Sequence, residues 1–285
     1  MTLTGAAKIA GVVGWPVGHA LSPLLHGYWL AENGIDGAMV PLAVRPEDFA
    51  AVLRGVRLAG FRGVNVTVPH KEAAFAIADI SDAAATAAGA ANLLLFRQDG
   101  KVEARNTDEA GFTASLAEGM GGESLAGKKI VLLGAGGAAR ALVRALAAMG
   151  AKQIVILNRG AARAEALAAT LAPGVKAKLS GGGLEQWTDA AQDSALLVNA
   201  GSAGMKGVPP LELALAPLPL SAFVCDIVYN PLETDLLARA RARGHRTIDG
   251  LGMLMHQGVP SFREFFGVEP KVTQGLRQAL EAALG

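Results

Sequence analysis

Short apolar runs alternate with segments of helical hydrophobic spacing along the first third of the chain. They predict strands over 8–14, 37–44 and 61–69, and helices over 22–34, 46–60 and 70–80. In the first helix we expect Ser22 as N-cap, Pro23 at the first helical position and Gly34 as the stop. Residues 89–108 predict a β-hairpin turning at Asp99–Gly100, and 109–119 predict another helix. Strands separated by helices in this way predict mainly parallel pairing through right-handed crossovers.

A second series of apolar runs begins at Lys128. Strands are predicted over 128–134, 152–158, 195–200 and 222–229, with a possible short strand over 175–179. This pattern is typical of a doubly wound nucleotide-binding sheet. The glycine-rich segment 118–127 is expected to be a linker or hinge, and helices over 251–266 and 272–284 are expected to return to the first domain. We therefore predict a two-domain α/β protein, with a substrate domain over 1–107 completed by 250–285 and a Rossmann-type domain over 108–249.

Composition limits the classes of partner. Of 285 residues, 26 are basic and 25 acidic, so the net charge of +1 offers no long-range attraction for nucleic acid or an anionic membrane. A single cysteine, Cys225, excludes an internal disulfide and a cysteine-cluster metal site. The five histidines show no ligand spacing, so no metal is expected. The first residues resemble no secretory leader, and no unbroken apolar run reaches membrane-spanning length, so a cytoplasmic protein is expected.

A glycine-rich turn follows the first strand of the second series and opens a helix. The context is that of a dinucleotide-binding βαβ unit. Gly134 is expected to make the tight turn and Gly136 to let the backbone approach a pyrophosphate, while the small Ala139 allows close helix packing. Free N–H groups at the helix start would attract phosphate. The predicted phosphate-binding residues are Gly134, Ala135, Gly136, Gly137 and Ala138.

The end of the next strand lacks the acidic residue that usually binds a ribose 2′-hydroxyl. Asn158, Arg159 and Arg163 stand there instead. Guanidinium groups bind phosphate through charge-assisted hydrogen bonds, so these residues favour NADP over NAD. An alternative for Arg163 is that it only solvates a helix face.

Polar side chains also follow two strands of the first domain. Asn65, Thr67 and Lys71 lie at a strand end and helix start, and Asp108 follows the hairpin. Ligands of open parallel sheets bind at such ends. Reduction of a ketone needs a proton donor beside the developing alkoxide, and a lysine held by an aspartate can serve. Each motif alone is also compatible with a surface charge or a helix cap.

Taken together, the motifs resemble the shikimate dehydrogenase family over nearly the whole chain. They are, in the family's order, "VVGWPVGHALSPLLH", "GVNVTVPHKE", "NTDEAGF", "GAGGAARA", "DIVYNPLETDLL" and "DGLGMLMHQG". The resemblance implies a two-domain NADP enzyme that reduces 3-dehydroshikimate to shikimate in aromatic amino-acid biosynthesis, on the chorismate pathway. It also implies that Lys71 exchanges the proton and that Asp108 orients Lys71 and bonds a ring hydroxyl.

Further roles come from the resemblance alone. It implies that Ser22, Asn65, Thr67, Asn92 and Gln257 line the substrate pocket, and that Tyr229 supplies a substrate-side hydroxyl. It places Met253 near the nicotinamide and Asn199 and Ser202 in a loop that lines the cofactor site. Met253 and Tyr229 could instead be core residues, and Asn199 a turn former.

Three positions depart from the family's pattern. Ala20 stands where a serine usually helps to bind the substrate carboxylate, Leu93 replaces a threonine, and Glu109 replaces a common glycine. These changes leave open a divergent enzyme for quinate or another cyclic hydroxy acid, or an NADP-binding sensor without turnover. The intact Lys71 and Asp108 argue against the sensor. A dehydrogenase of the methylene-tetrahydrofolate type shares the architecture but lacks "NVTVPHK". The partner is expected to be a small molecule, and the protein a monomer or homodimer.

Overall fold

A computed structural model describes residues 3–285, which divide into two compact units. The first unit contains residues 3–108 and Met255–Ala283, and the second contains Glu109–Leu254. The sequence places the corresponding divisions after residues 107 and 249. The first unit is therefore discontinuous in sequence.

A six-stranded mixed sheet forms the centre of the first unit, in the order β2-β1-β3-β5-β6-β4. Its strands are β1 (Lys8–Gly14), β2 (Gly37–Ala43), β3 (Gly63–Val66), β4 (Ile80–Ser81), β5 (Leu93–Phe96) and β6 (Val102–Arg105). β1 pairs in parallel with β2 and β3, and β4 pairs in parallel with β6. β5 is antiparallel to β3, and it is also antiparallel to β6, with which it forms the predicted hairpin. Its turn closes with a hydrogen bond from Arg97 N to Lys101 O at 3.0 Å.

The helices of the amino-terminal segment are α1 (Ser22–Glu32), α2 (Phe49–Leu58), α3 (Lys71–Ile77) and α4 (Ala83–Ala88), and a short 3-10 turn at Pro46–Asp48 precedes α2. The prediction of Ser22 as the N-cap of α1 is wrong. Leu21 takes that position with helical dihedral angles, so Ser22 is the first helical residue and makes no capping bond. Gly34 adopts φ +61 just after the helix, as predicted for its stop.

The second unit is built on a parallel sheet in the order β12-β11-β10-β7-β8-β9, the strand order of a dinucleotide-binding fold. The strands are β7 (Lys129–Leu133), β8 (Gln153–Asn158), β9 (Lys178–Gly183), β10 (Ser194–Asn199), β11 (Phe223–Asp226) and β12 (Arg246–Ile248). The possible strand over 175–179 is therefore real but begins three residues later. β12 was not predicted, since three residues that begin with an arginine show no alternation.

The helices of this unit are α5 (Asp108–Gly119), whose first residue belongs to the first unit, α6 (Gly137–Ala148), α7 (Ala161–Leu171), α8 (Trp187–Ala191) and α9 (Asp235–Ala242), with 3-10 turns at Ala172–Gly174 and Leu184–Gln186. The segment 118–127 is not a linker between the units. It lies within the second unit, where Met120 and Leu125 are buried in the core. Its glycines at 121 and 122 adopt positive φ in the turn after α5, which explains the glycine-rich composition.

The last two helices are α10 (Leu251–Phe266) and α11 (Gln274–Leu284), and most of both belongs to the first unit. Phe262 of α10 packs edge-on against Trp29 of α1, with ring centroids 5.4 Å apart. The indole Nε1 of Trp29 donates to Lys271 O at 2.9 Å, and Lys8 Nζ donates to Phe266 O at 3.0 Å. Among residues 3–285 no helix combines the length and hydropathy needed to cross a bilayer.

Candidate active site

Lys71 is held at the first turn of α3, five residues after the end of β3. The preceding residue, His70, is buried, stacks on Phe49 with ring centroids 4.7 Å apart, and its Nε2 lies 2.7 Å from Val44 O. The backbone oxygen of Lys71 accepts from Ala91 N at 2.8 Å. These contacts fix the backbone from which the lysine side chain extends.

The ammonium group of Lys71 forms an ion pair with Asp108 Oδ2. The lysine side chain is 16% exposed and the aspartate side chain 4% exposed, so the cation is the part of the pair that solvent or a ligand can reach. Asp108 Oδ1 accepts from Asn92 Nδ2 at 2.8 Å, and the Asp108 backbone nitrogen donates to Asn106 Oδ1 at 3.0 Å. The structure therefore brings the two predicted catalytic residues together and fixes the carboxylate from its buried side.

A network of amides and a hydroxyl supports Asp108. Asn92 Oδ1 accepts from Thr107 N at 2.8 Å, and Asn92 Nδ2 lies 2.9 Å from Thr107 Oγ1 and 3.1 Å from Gln257 Oε1. Thr107 Oγ1 also donates to Gln257 O on α10 at 2.9 Å. Asn92 therefore links Gln257 to the predicted catalytic pair, and the role of both residues in the substrate pocket stays a prediction. The sequence alone assigned Thr107 no role, although it stands directly before Asp108.

The other predicted substrate residues are less closely connected. Asn65, at the end of β3, donates from Nδ2 to Ser261 Oγ on α10 at 3.2 Å. Thr67 is half-buried, and an added Cβ on Gly14 would lie 2.5 Å from its Cγ2. Ser22 is buried at the start of α1. Within residues 3–285 no side-chain hydrogen bond connects Ser22 or Thr67 to Asp108. Tyr229 belongs to the second unit, where it is half-buried after β11.

The glycine-rich turn is tight and has open space beside it. Gly134 adopts φ +104, and an added Cβ would lie 3.0 Å from Gly201 N, so only glycine fits. Gly136 is the N-cap of α6, and an added Cβ there would meet nothing within 4 Å, which leaves open space beside the turn. The fully buried Ala139 packs against the core. The first N–H groups of α6, from Gly137 onward, lack intrahelical acceptors and suit a phosphate.

Arg159 and Arg163 are exposed just beyond the end of β8. Within the described residues 3–285 neither guanidinium has an ion-pair partner, so their donors are available to an anion. Asn158, the last residue of β8, donates from Nδ2 to Gly160 O at 3.1 Å. Two free guanidinium groups fit a 2′-phosphate, and no carboxylate occupies the strand end to repel it.

A buried aspartate that the sequence analysis missed organises the loop after β10. Asp226 Oδ1 accepts from Asn199 Nδ2 at 2.9 Å and from Val228 N at 3.0 Å, and Oδ2 accepts from Thr234 Oγ1 at 2.8 Å. Burial raises the pKa of the Asp226 carboxyl to about 6, although these three hydrogen bonds favour the ionised form. Asn199 Oδ1 in turn accepts from Gly201 N at 3.1 Å. Asp226 therefore fixes the loop against which Gly134 packs.

The remaining predicted cofactor residues lie in different surroundings. Asn199 is 1% exposed, so its amide serves the loop itself. Ser202, in the same loop, is exposed. Met253 is 9% exposed within an apolar cluster that includes Phe112.

Burial raises the pKa of the Cys225 thiol, so this thiol is neutral. In the described part of the chain, residues 3–285, no group of three His, Cys, Asp or Glu could hold a metal ion.

Comparisons with known proteins show which family the chain is similar to. Residues 12–94 match the family model of the shikimate dehydrogenase substrate binding domain, and residues 115–205 match that of shikimate / quinate 5-dehydrogenase. The shikimate dehydrogenase (NADP(+)) of Methylobacterium radiotolerans is 51% identical over 284 residues, which cover 98% of each chain.

Two solved structures are similar over nearly their whole length. A shikimate dehydrogenase in complex with NADP+ has a TM-score of 0.89 at 34% identity, with 100% of this chain and 98% of that chain covered. The enzyme of Thermus thermophilus, in complex with NADP(H) and shikimate, has a TM-score of 0.84 at 35% identity, with coverage of 97% and 100%. By its sequence and its fold, the chain belongs to the shikimate dehydrogenase family.

Proposed function

We propose that this protein is an NADP-dependent shikimate dehydrogenase that interconverts 3-dehydroshikimate and shikimate, with Lys71 and Asp108 as the catalytic pair. The observation that carries this proposal is the ion pair between Lys71 Nζ and the buried carboxylate of Asp108. A protein that only bound NADP would have no need for a proton donor held in this way.

Bound NADPH would supply the hydride for reduction of the substrate's carbonyl carbon, and bound NADP+ would accept it in the reverse direction. Lys71, as the ammonium form, donates a proton to the carbonyl oxygen, and the alcohol results. In the reverse direction the amine form of Lys71 accepts the hydroxyl proton. Asp108 orients the lysine, and Asn92 holds the other carboxylate oxygen, so Oδ2 faces Lys71 throughout.

For the cofactor, we propose that the turn residues Gly134 to Ala138 bind the pyrophosphate and that Asn158, Arg159 and Arg163 bind the 2′-phosphate. Ser202 and Met253 are assigned to the nicotinamide side, and Asn199 supports the loop that carries Ser202. The orphan N–H groups of α6 and the two free guanidinium groups support these assignments.

For the substrate, we propose that Asn65, Thr67, Asn92 and Gln257 bind ring hydroxyls, and that Ser22 and Tyr229 bind the carboxylate end. The hydrogen bonds that join Asn92 and Gln257 to the catalytic pair support the first group. We also propose a monomer or homodimer that acts in the cytoplasm on this small molecule and not on nucleic acid. The net charge of +1 and the single cysteine support this setting.

The test is an assay of dinucleotide reduction by the purified protein, with shikimate, quinate and other cyclic hydroxy acids as substrates and with NADP and NAD as oxidants. We expect the highest kcat/KM for shikimate with NADP. Lys71→Ala should lower kcat by several orders of magnitude and leave the Kd for NADPH unchanged. Turnover with quinate alone, or full turnover in Lys71→Ala, would contradict the proposal.

A further inference from the structure

Asn65 carries a buried polar atom that nothing in the described chain satisfies. The residue is 5% exposed, and its Nδ2 donates to Ser261 Oγ at 3.2 Å. Its Oδ1 has no hydrogen-bond partner among residues 3–285. A buried carbonyl oxygen without a donor costs free energy, so such an atom needs an explanation.

Ser261 decides which end of the Asn65 amide faces it. Its hydroxyl donates to Gly258 O, one turn earlier on α10, at 2.9 Å. A hydroxyl has one hydrogen, so Ser261 Oγ presents only lone pairs to Asn65. The NH2 group of Asn65 must therefore face Ser261, and the carbonyl oxygen must be the atom left free.

The Asn65 amide is connected through α10 to the network around Asp108. Gln257 and Ser261 stand one turn apart on α10, on the same face, because residues i and i+4 are neighbours on a helix. Gln257 accepts from Asn92, and Ser261 accepts from Asn65. The strands β3 and β5 pair at these positions, since Val66 N donates to Asn92 O at 2.8 Å. Asn92 also bonds Asp108, so the two amides and the catalytic carboxylate are contiguous within the first unit.

We propose that Ser261 is a positioning residue: it fixes the amide of Asn65 so that Oδ1 accepts a hydrogen bond from a ring hydroxyl of the substrate. The inference rests on the proposed function. It adds Ser261 to the residues of the substrate site, and it specifies that Asn65 accepts a hydrogen bond from the substrate. The group that meets Asn65 must be a donor, so a ring hydroxyl fits this position and a carboxylate or ether oxygen does not.

The test is Ser261→Ala, with Ser194→Ala as the matched control. Ser194 is also a buried serine that donates to a backbone oxygen a few residues earlier, Ala190 O at 2.8 Å, but within residues 3–285 its hydroxyl accepts no hydrogen bond from a side-chain amide. In Ser261→Ala the Asn65 amide can turn over. We expect KM for shikimate to rise about three- to tenfold, with kcat and the Kd for NADPH within about twofold of wild type. Ser194→Ala should leave the three constants unchanged.

Shikimate analogues that each lack one ring hydroxyl provide a second measurement. The ratio of kcat/KM for shikimate to that for the analogue without the Asn65-bound hydroxyl should be high in wild type and fall about three- to tenfold in Ser261→Ala. The ratio compares two substrates on one sample, so a smaller folded fraction does not change it. Unchanged constants and ratios in Ser261→Ala would overturn the role of Ser261. Absence of shikimate turnover in wild type would instead overturn the proposed function.

Discussion

At the scale of one residue, Arg159 is the proposed determinant of the dinucleotide that the second unit prefers. Its guanidinium is exposed and has no ion-pair partner among residues 3–285. A hydrogen bond to a charged group is stronger than a hydrogen bond between neutral groups. Because only NADP carries the 2′-phosphate, loss of the guanidinium should weaken the binding of NADP and not that of NAD. We expect Arg159→Ala to raise KM for NADP about ten- to hundredfold and to leave KM for NAD within about threefold.

The matched control is Arg243→Ala, which removes an exposed arginine beyond the end of α9 in the same unit. It should change neither constant. An equal loss for NADP and NAD in Arg159→Ala would show that this arginine does not contact a 2′-phosphate, and the basis for NADP preference would have to be sought in other residues.

Among the departures from the family's pattern, Ala20 is the one that we expect to affect the choice of substrate. It is half-buried two residues before Ser22, and it replaces a serine hydroxyl that the family usually presents to a carboxylate. If the substrate carboxylate binds here, Ala20→Ser should lower KM for shikimate about three- to tenfold and leave KM for NADP unchanged. Unchanged steady-state constants for shikimate would mean that the carboxylate binds elsewhere.

Residues that stand in a specific local motif could be singled out from the sequence, whereas residues that act through a distant partner could not. Lys71 and Asp108 each stand in a short specific string, and the structure joins them. Ser261 and Asp226 stand in no recognisable motif. Their hydrogen-bond partners, Asn65 and Asn199, lie 196 and 27 residues away in the sequence. No local pattern reports a contact of that kind.

At the scale of elements, buried strands and long helices were predicted well and short or irregular elements were not. The four parallel strands β7, β8, β10 and β11 are continuous apolar runs, as burial on both faces requires. β4 has two residues and β12 has three, too few for any periodicity. β9 ends in three glycines, and an added Cβ on Gly181 would lie 2.3 Å from the backbone of Ala164. Close packing on α7 requires glycine at this position. Because the glycines interrupt the alternation of apolar side chains, the hydrophobic pattern does not predict the full strand.

The packing of α1 on α10 places His26 in an aromatic cluster. It is fully buried, and neither ring nitrogen has a hydrogen-bond partner within residues 3–285. Its ring lies 5.8 Å from that of Trp29 and 5.7 Å from that of Phe262. Burial lowers the pKa of His26 to about 3, from 6.5 in the unfolded chain. The unfolded state therefore binds the proton first, and stability is lost as pH falls below about 6.5.

We expect His26→Leu to remove this loss. Between pH 7.5 and pH 5 the histidine should cost roughly 2 kcal/mol of unfolding free energy, which the leucine variant does not lose. The raised pKa of Asp226 acts in the opposite direction, because protonation of its carboxyl favours the folded state as pH falls through about 6. Comparison of the variant with wild type by urea unfolding at both pH values cancels that effect. The same pH dependence in both proteins would contradict the role of His26.

At the scale of the whole molecule, the two-unit α/β organisation could be predicted because each unit repeats a strand and helix pattern. The expectation of a mainly parallel first sheet needs a qualification. The hairpin of β5 and β6 enters that sheet beside β3, so β5 is antiparallel to both of its neighbours. The strand order of a mixed sheet depends on which strand edges remain unpaired when each strand joins the sheet. The hydrophobic pattern of a single strand does not predict which neighbour it will pair with.

The two units also differ in how their cores are closed. Both apolar clusters of the second unit consist entirely of residues within 109–254. The first unit instead buries Phe262, Phe265 and Phe266 from α10 against its amino-terminal segment. Burial of each phenylalanine contributes about 1.5–3 kcal/mol, so a first unit without these residues should not remain folded.

Truncation after Leu254 should therefore unfold the first unit and leave the second unit folded. We expect a fragment of residues 1–254 to bind NADPH within about tenfold of the wild-type Kd, because the second unit keeps its whole core. Its amino-terminal segment should be cleaved rapidly by trypsin, and shikimate turnover should be lost, because Gln257 and Ser261 are removed with α10. A fragment of residues 109–254 should bind NADPH equally well. A protease-resistant segment 3–108 in the longer fragment would show that the first unit folds without α10 and α11. These two helices would then be needed for the active site and not for the stability of the unit.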